Sequence, residues 1–275
     1  YLEVDSHEVS IYKKLREISL EHQTEVWKTL GIVYDREYPE SEVYKDAIKL
    51  VNRYKDTIFQ ESEGAIIFDG KKVGLTNWVF LTSEGNPTYS SKDLALGYKK
   101  FEEYPNLFKS IVTTSVEIKD YFKVVIHVLN IINPITKGRY FHVPFGWMLR
   151  GGKKFSSRMG ESVKGIDVIE EVRSVAYKKI SELKEYPENE KESIVQAVAD
   201  AGLKFLILSH EFHKDFSYDP EQFLSLEGFS GPYIQYTYAR AKSILAKSDS
   251  SDYKVKLLET DEEKSLAKLL GIYPS

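Results

Sequence analysis

The chain has no cysteine in 275 residues, which excludes disulfides and thiolate-held zinc and leads us to expect a cytoplasmic protein. It has no cationic excess either. Its 38 Lys and Arg stand against 42 Asp and Glu, a formal net charge of −4, so wholesale phosphate binding, as in a general DNA or RNA binder, is not expected. Contact with nucleic acid must then come from local basic and aromatic patches. No apolar run approaches the roughly 20 residues that a membrane helix needs, no signal peptide is visible, and no repeat or low-complexity tract appears, so no membrane partner is expected. Histidines are few. His210 and His213, three apart around Glu211 and Phe212, lack further ligands at a recognisable spacing and read as a solvated helix end, so no metal site is expected.

What is present suffices for a core. With 42% hydrophobic and 29% charged residues the chain reads as two units rather than one. Apolar residues recur at three- and four-residue steps over 7–30, predicting a helix, and Val43 to Tyr54 predicts a second. Ala65 to Lys72 and Trp78 to Leu81 read as a hairpin, Ser90 to Tyr104 as a capped helix, Val124 to Leu129 as a buried strand, and 140–149 as another strand. Ile166 to Leu183 is an amphipathic helix. After a polar linker over 184–191, helices follow at 192–212, 220–226, 232–247 and 260–270. The result is an α/β portion, 1–185, followed by an α-helical portion, 186–275.

Three stretches carry chemistry. Lys153-Lys154-Phe155-Ser156-Ser157-Arg158-Met159-Gly160, preceded by Gly151-Gly152, sets three cations and two hydroxyls in a glycine-bounded loop after a strand, where α/β nucleotide sites are found. Cations there suit the charge that develops on a leaving pyrophosphate; a plain basic turn is the alternative. Tyr89 and Asp93, four apart at a helix start, share a face and pair a planar group with a carboxylate, as a guanidinium requires; Ser90-x-x-Asp93 also reads as a capping box. On the helix opened by Gly231-Pro232, Tyr236 and Arg240 share a face suited to unpaired bases, with core packing as the alternative. His142, alone on an apolar strand, reads as a packed residue shaping a base pocket rather than as a general base.

These stretches occur in a familiar order. KKFSSRMG resembles the KMSKS loop of class I aminoacyl-tRNA synthetases, in the KMSTRKG form typical of the arginyl-tRNA synthetase family. HVPFG before it, LGIVYDREYPES at 30–41, SEGNPTYSSKDLA at 83–95 and GPYIQYTYARAKSIL at 231–245 are similar to further segments of that family. The resemblance implies the C-terminal half of a class I Rossmann-like catalytic domain followed by the start of a helical anticodon-binding domain. It also implies ATP-dependent activation of L-arginine, with Mg²⁺ accompanying ATP, and transfer to tRNA(Arg), the activation requiring bound tRNA. The implied catalytic residues are Lys153, Lys154, Ser156 and Arg158. Those for ATP are His142, Gly146, Ser156 and Ser157; for arginine, Glu40, Tyr89, Asp93 and Asn133; for tRNA, Tyr233, Gln235, Tyr236 and Arg240.

Departures accompany the match. Asn133 is the counterpart of a family glutamine, one methylene shorter, and Met159 stands where lysine is common. The His-x-Gly-His signature of class I synthetases is absent, so the chain is expected to begin after it, within the catalytic domain. A non-catalytic tRNA-binding paralogue, or a sibling synthetase for another amino acid, are the alternatives.

Overall fold

A computed structural model of the protein describes residues 6–155, 164–183, 186–247 and 258–273. Helix α1, His7–Thr29, is capped by Ser6, whose hydroxyl accepts from the Val9 amide. Helix α2, Glu40–Arg53, buries Val43, Ala47, Leu50 and Val51, the i, i+4, i+7, i+8 stripe of an amphipathic helix. An antiparallel meander follows: β1 (Gln60–Ser62), β2 (Ala65–Phe68) and β3 (Trp78–Leu81), the last two joined through a 3₁₀ turn at Gly70–Val73. Helix α3, Tyr89–Glu103, then leads to β4, Ser110–Ser115.

The next segment corrects the sequence reading. Val124 to Leu129, expected as a strand, lies inside helix α4, Lys119–Ile132. Its β-branched run mimics a strand locally, but over the whole window the buried residues Tyr121, Phe122, Val125, Val128, Leu129 and Ile132 recur at helical spacing. The strand is instead β4, whose Ser-Ile-Val-Thr-Thr-Ser sequence carries little apolar signal. It pairs in parallel with β5, Tyr140–Phe145, from Ser110↔Tyr140 to Ser115↔Phe145, and α4 is the crossover that parallel pairing requires. Helices α2, α3 and α4 and the meander share one core built on Phe59, Phe80, Leu94, Val125 and Leu129. At Gly97, α3 lies so close to its neighbours that a methyl group would sit 2.8 Å from Leu129 Cδ2 and 3.2 Å from the Tyr140 ring.

The strand expected over 140–149 is broken. β5 ends at Phe145, and β6, Met148–Arg150, belongs to a separate small sheet with β7 (Lys153–Lys154, antiparallel) and β8 (Phe216–Ser217, parallel). The break is fastened by the Gly146 amide donating to the Phe212 carbonyl and the Trp147 amide donating to Asp215 Oδ1, each at 2.7 Å. Helices α5 (Gly165–Leu183) and α6 (Glu188–Leu208) pack into a second core with Tyr218, Phe223 and Leu224, the last two at the short helix α7, Pro220–Phe223. Helices α5 and α6 share this core, against which Val26, Leu30, Met148 and Phe155 also pack, and α6 starts directly after Pro187. Helix α8 (Gly231–Ala246) leans on α6, while α9 (Asp261–Ile272) is closed by a capping box of Thr260 and Glu263 and buries none of its residues.

Candidate functional site

The first turn of α3 is tied to β3 by hydroxyls. Thr88 Oγ1 and Ser90 Oγ donate to the Val79 carbonyl at 2.8 and 3.0 Å, and Ser91 Oγ donates to the Thr88 carbonyl at 2.9 Å. Ser90 is therefore spent on the strand, and no side chain caps α3. Asp93 is not a capping residue either: its carboxylate accepts from the hydroxyl of Tyr121 on α4. Of the two meanings of Ser90-x-x-Asp93, the geometry rejects the capping box.

Asp93 faces a hollow of about 620 Å³ whose walls include Trp78, Thr88, Tyr89, Ile118 and Tyr121. Trp78 meets Tyr121 edge-on, with ring centroids 5.4 Å apart. Burial pushes the Asp93 carboxyl above the usual aspartate range; the Tyr121 hydrogen bond and then the cations of Lys100 and Lys92 oppose that shift. Burial likewise lowers Lys100 and raises the Tyr121 and Tyr140 phenols, so Tyr121 remains a protonated donor. One recessed carboxylate in an aromatic-walled hollow suits a planar, delocalised cation, since aromatic faces restrict its pose while the carboxylate accepts its donors.

The other expected arginine residues stand differently. Glu40 opens α2, and its Oε1 lies 2.7 Å from Lys92 Nζ. The preceding loop runs along α3: Tyr38 donates to Glu103 Oε2 at 2.6 Å, and Arg36 pairs with Glu42 at 2.6 Å. Asn133 follows the last residue of α4, twelve residues from Tyr121 and so about 18 Å along the axis, and does not line the hollow. Its place follows from α4 being a helix: the first turn, with Tyr121, and Ile118 before it line the hollow, and Asn133 stands at the other end.

The parallel strands β4 and β5 end at Ser115 and Phe145, the carboxyl-end position where open α/β sheets bind ligands. His142 Nε2 lies 2.7 Å from Thr114 Oγ1, and its ring stacks on Phe122 at 4.4 Å between centroids. Burial, then Lys119, holds its pKa below the ordinary histidine value, as for a neutral packed ring. Gly151 and Gly152 both have positive φ, +54° and +74°, the conformation of a two-residue turn between β6 and β7, with Arg150 opposite Lys153 and Leu149 opposite Lys154. The Lys154 ammonium pairs with Glu117 just beyond β4 and lies 4.4 Å from the Trp147 ring centroid. Ser156, Ser157, Arg158 and Met159 lie outside the described residues. Residues 117 and 118 thus join two features: Glu117 holds a loop lysine and Ile118 lines the hollow.

On α8, Tyr233, Tyr236 and Arg240 are exposed, whereas Gln235 Nε2 donates to the Ala197 carbonyl at 3.0 Å and its Oε1 is buried without a partner. Gln235 is half-buried, with its amide group turned to α6. Sequence reasoning missed Trp78, Lys92, Glu117 and Tyr121. Lys92, lying between Tyr89 and Asp93, was within reach of it. Tyr121 was not, since only the packing of α4 on α3 brings it to Asp93.

Residues 3–220 match the family described as tRNA synthetases class I (R), catalytic domain. The chain is 30% identical over 271 residues to an arginine–tRNA ligase of Clostridium botulinum, covering 97% of this chain and 48% of the relative. It is 30% identical over 247 residues to one from Lactococcus lactis, covering 89% and 43%. Among solved structures, the arginyl-tRNA synthetase of Plasmodium falciparum superposes with a TM-score of 0.81 at 22% identity, over 98% of this chain and 47% of that one. The Thermus thermophilus arginyl-tRNA synthetase gives 0.77 at 21%, over 97% and 51%. The chain spans about half the length of the curated relatives it matches. With the family match running from α1 to α7 through both the hollow and the lysine hairpin, the chain belongs to the class I (R) tRNA synthetases, as part of their catalytic domain.

Proposed function

We propose that the protein containing this chain is an arginine–tRNA ligase, which joins L-arginine to ATP as arginyl-adenylate and then transfers it to the 3′ end of tRNA(Arg) in the cytoplasm. The observation that carries this reading is the recessed Asp93 carboxylate, held by Tyr121 and walled by Trp78, Tyr89 and Ile118, the last adjoining the Glu117 that pairs with Lys154. The guanidinium docks on Asp93 between aromatic walls. The arginine carboxylate, ionised at neutral pH, attacks the α-phosphorus of ATP and pyrophosphate leaves, so no general base is required. Lys153 and Lys154, with Arg158 beside them in sequence, stabilise the charge that grows on the leaving group. Ser156 and Ser157 of the same loop contact the triphosphate. His142 and the backbone at Gly146 shape the wall against the adenine.

Mg²⁺ arrives as the counter-ion of ATP. Among the described residues no group of three or more acidic or histidine side chains is placed to hold an ion. Tyr233, Tyr236 and Arg240 contact the tRNA through stacking and charge. The decisive test is aminoacylation by the full-length protein with each amino acid in turn, alongside ATP–pyrophosphate exchange with and without tRNA. Arginine alone should be charged, and exchange should require tRNA. Charging of another amino acid, or tRNA binding without any charging, would overturn the proposal.

A further inference from the structure

Lys92 stands one position before Asp93, and its side chain is only 14% exposed. Its ammonium lies 2.7 Å from Glu40 Oε1 and 4.4 Å from the centroid of the Tyr89 ring. Tyr89 itself is 74% exposed, so core packing does not fix this wall of the hollow. A ring held by a cation, which is held in turn by a carboxylate, loses less freedom when a ligand closes on it. With Glu40 neutralised by Lys92, the recessed carboxylate left to the ligand is that of Asp93.

We propose that Lys92 is a positioning residue of the arginine site, clamping Tyr89 as the wall of the hollow through its ion pair with Glu40, so that Glu40 acts on the substrate only through Lys92. The inference rests on the reading of the hollow as the arginine site, and it differs from the expectation that Glu40 meets the guanidinium directly.

The test uses four variants of the full-length protein. Lys92→Met keeps the stem and removes the ammonium, Glu40→Gln removes its partner, Lys92→Arg keeps the charge, and Lys92→Met/Glu40→Gln removes both. Each single charge removal should raise the arginine KM about three- to tenfold, with kcat held within about twofold and the ATP KM unchanged. The double variant should be no worse than the poorer single, because one clamp can be lost only once. Lys92→Arg should stay near the parent. The clamp is overturned if Glu40→Gln costs far more than Lys92→Met and the two effects multiply, which would set Glu40 directly on the guanidinium. It is equally overturned if Lys92→Met lowers the arginine KM, or leaves it unchanged. Asp93→Asn, measured in parallel, separates the levels: unchanged arginine kinetics there sink the reading of the hollow and the clamp with it, whereas impaired Asp93→Asn beside a normal Lys92→Met sinks the clamp alone. Thermal midpoints identify any variant that fails to fold, and Glu40→Gln with Lys92→Arg carries the test should Lys92→Met do so.

Discussion

Asp93 sits behind Tyr121 and Trp78, its carboxyl shifted by burial, with neighbours fixed by the packing of two helices. Lys154 stands on β7 just after a two-residue turn, its side chain 44% exposed and paired with a still wetter Glu117. The first arrangement is stiff and poorly solvated, so a wrongly charged ligand meets an uncompensated group there. The second is loose and bathed in water, where an ion pair contributes little and is readily exchanged for a phosphate. Discrimination between amino acids needs a fixed geometry, whereas a charge that appears only during the reaction needs cations free to follow it. On the proposed function, the two regions divide these tasks.

The largest test of that division is Lys154→Ala in the full-length protein. It should slow adenylate formation by the equivalent of about 2–4 kcal/mol while arginine affinity holds. Single-turnover kinetics decide: an unchanged rate, or a loss confined to arginine KM, would erase the contrast. Next comes Asp93→Asn, which should reduce arginine use at least roughly tenfold, since losing a charged hydrogen-bond partner costs about 1.5–3 kcal/mol. Thermal midpoint and arginine kinetics on the same variant give the answer; a drop in stability with normal kinetics returns Asp93 to a structural role.

Tyr121→Phe sharpens the comparison through pH. Because burial raises the Asp93 carboxyl, arginine use should fall on acidification at a pH above the ordinary aspartate range. The Tyr121 bond opposes that shift, so removing it should move the acid limb to still higher pH and destabilise the fold by about 1–2 kcal/mol. Stability has the opposite sign at this residue: a carboxyl raised in the folded state favours folding below its unfolded value and loses that contribution as pH rises through the folded one. An acid limb that stays put in Tyr121→Phe would assign it to another group. The smallest effect is expected at Arg240→Ala, a modest weakening of tRNA binding with a salt slope reduced by about one and ATP binding untouched. Equal tRNA affinity across a salt series would leave Arg240 as an ordinary surface residue.

The helices at 7–29, 165–183 and 231–246 were legible because each shows helical periodicity or, at Pro232, a first-turn signal over a long window. The crossover was not. In α4 the run Val124-Val125-Ile126 satisfies strand and helix alike, and the helix shows only over the longer window and in the packing of Leu129 on Gly97 of α3; β4, with four of its six residues serine or threonine, was hidden for the converse reason. Asn133, at the far end of α4, stands away from the hollow. Tyr89 and Asp93 were legible because their spacing is local. Tyr121, 28 residues beyond Asp93, and Lys92 as partner of Glu40, 52 residues away, are products of tertiary contact.

Gly97 falls one helical turn after Asp93 on the same side of α3, against Leu129 and Tyr140. The spacing between the helix that carries the carboxylate and the helix that carries its phenol is thereby gauged by a hydrogen atom. A methyl group at this point would act as a wedge, tilting Asp93 away from Tyr121 and widening the hollow from a position that touches no ligand. The calibre of the hollow is written into the helix seam beneath it, at a residue that is no part of its lining.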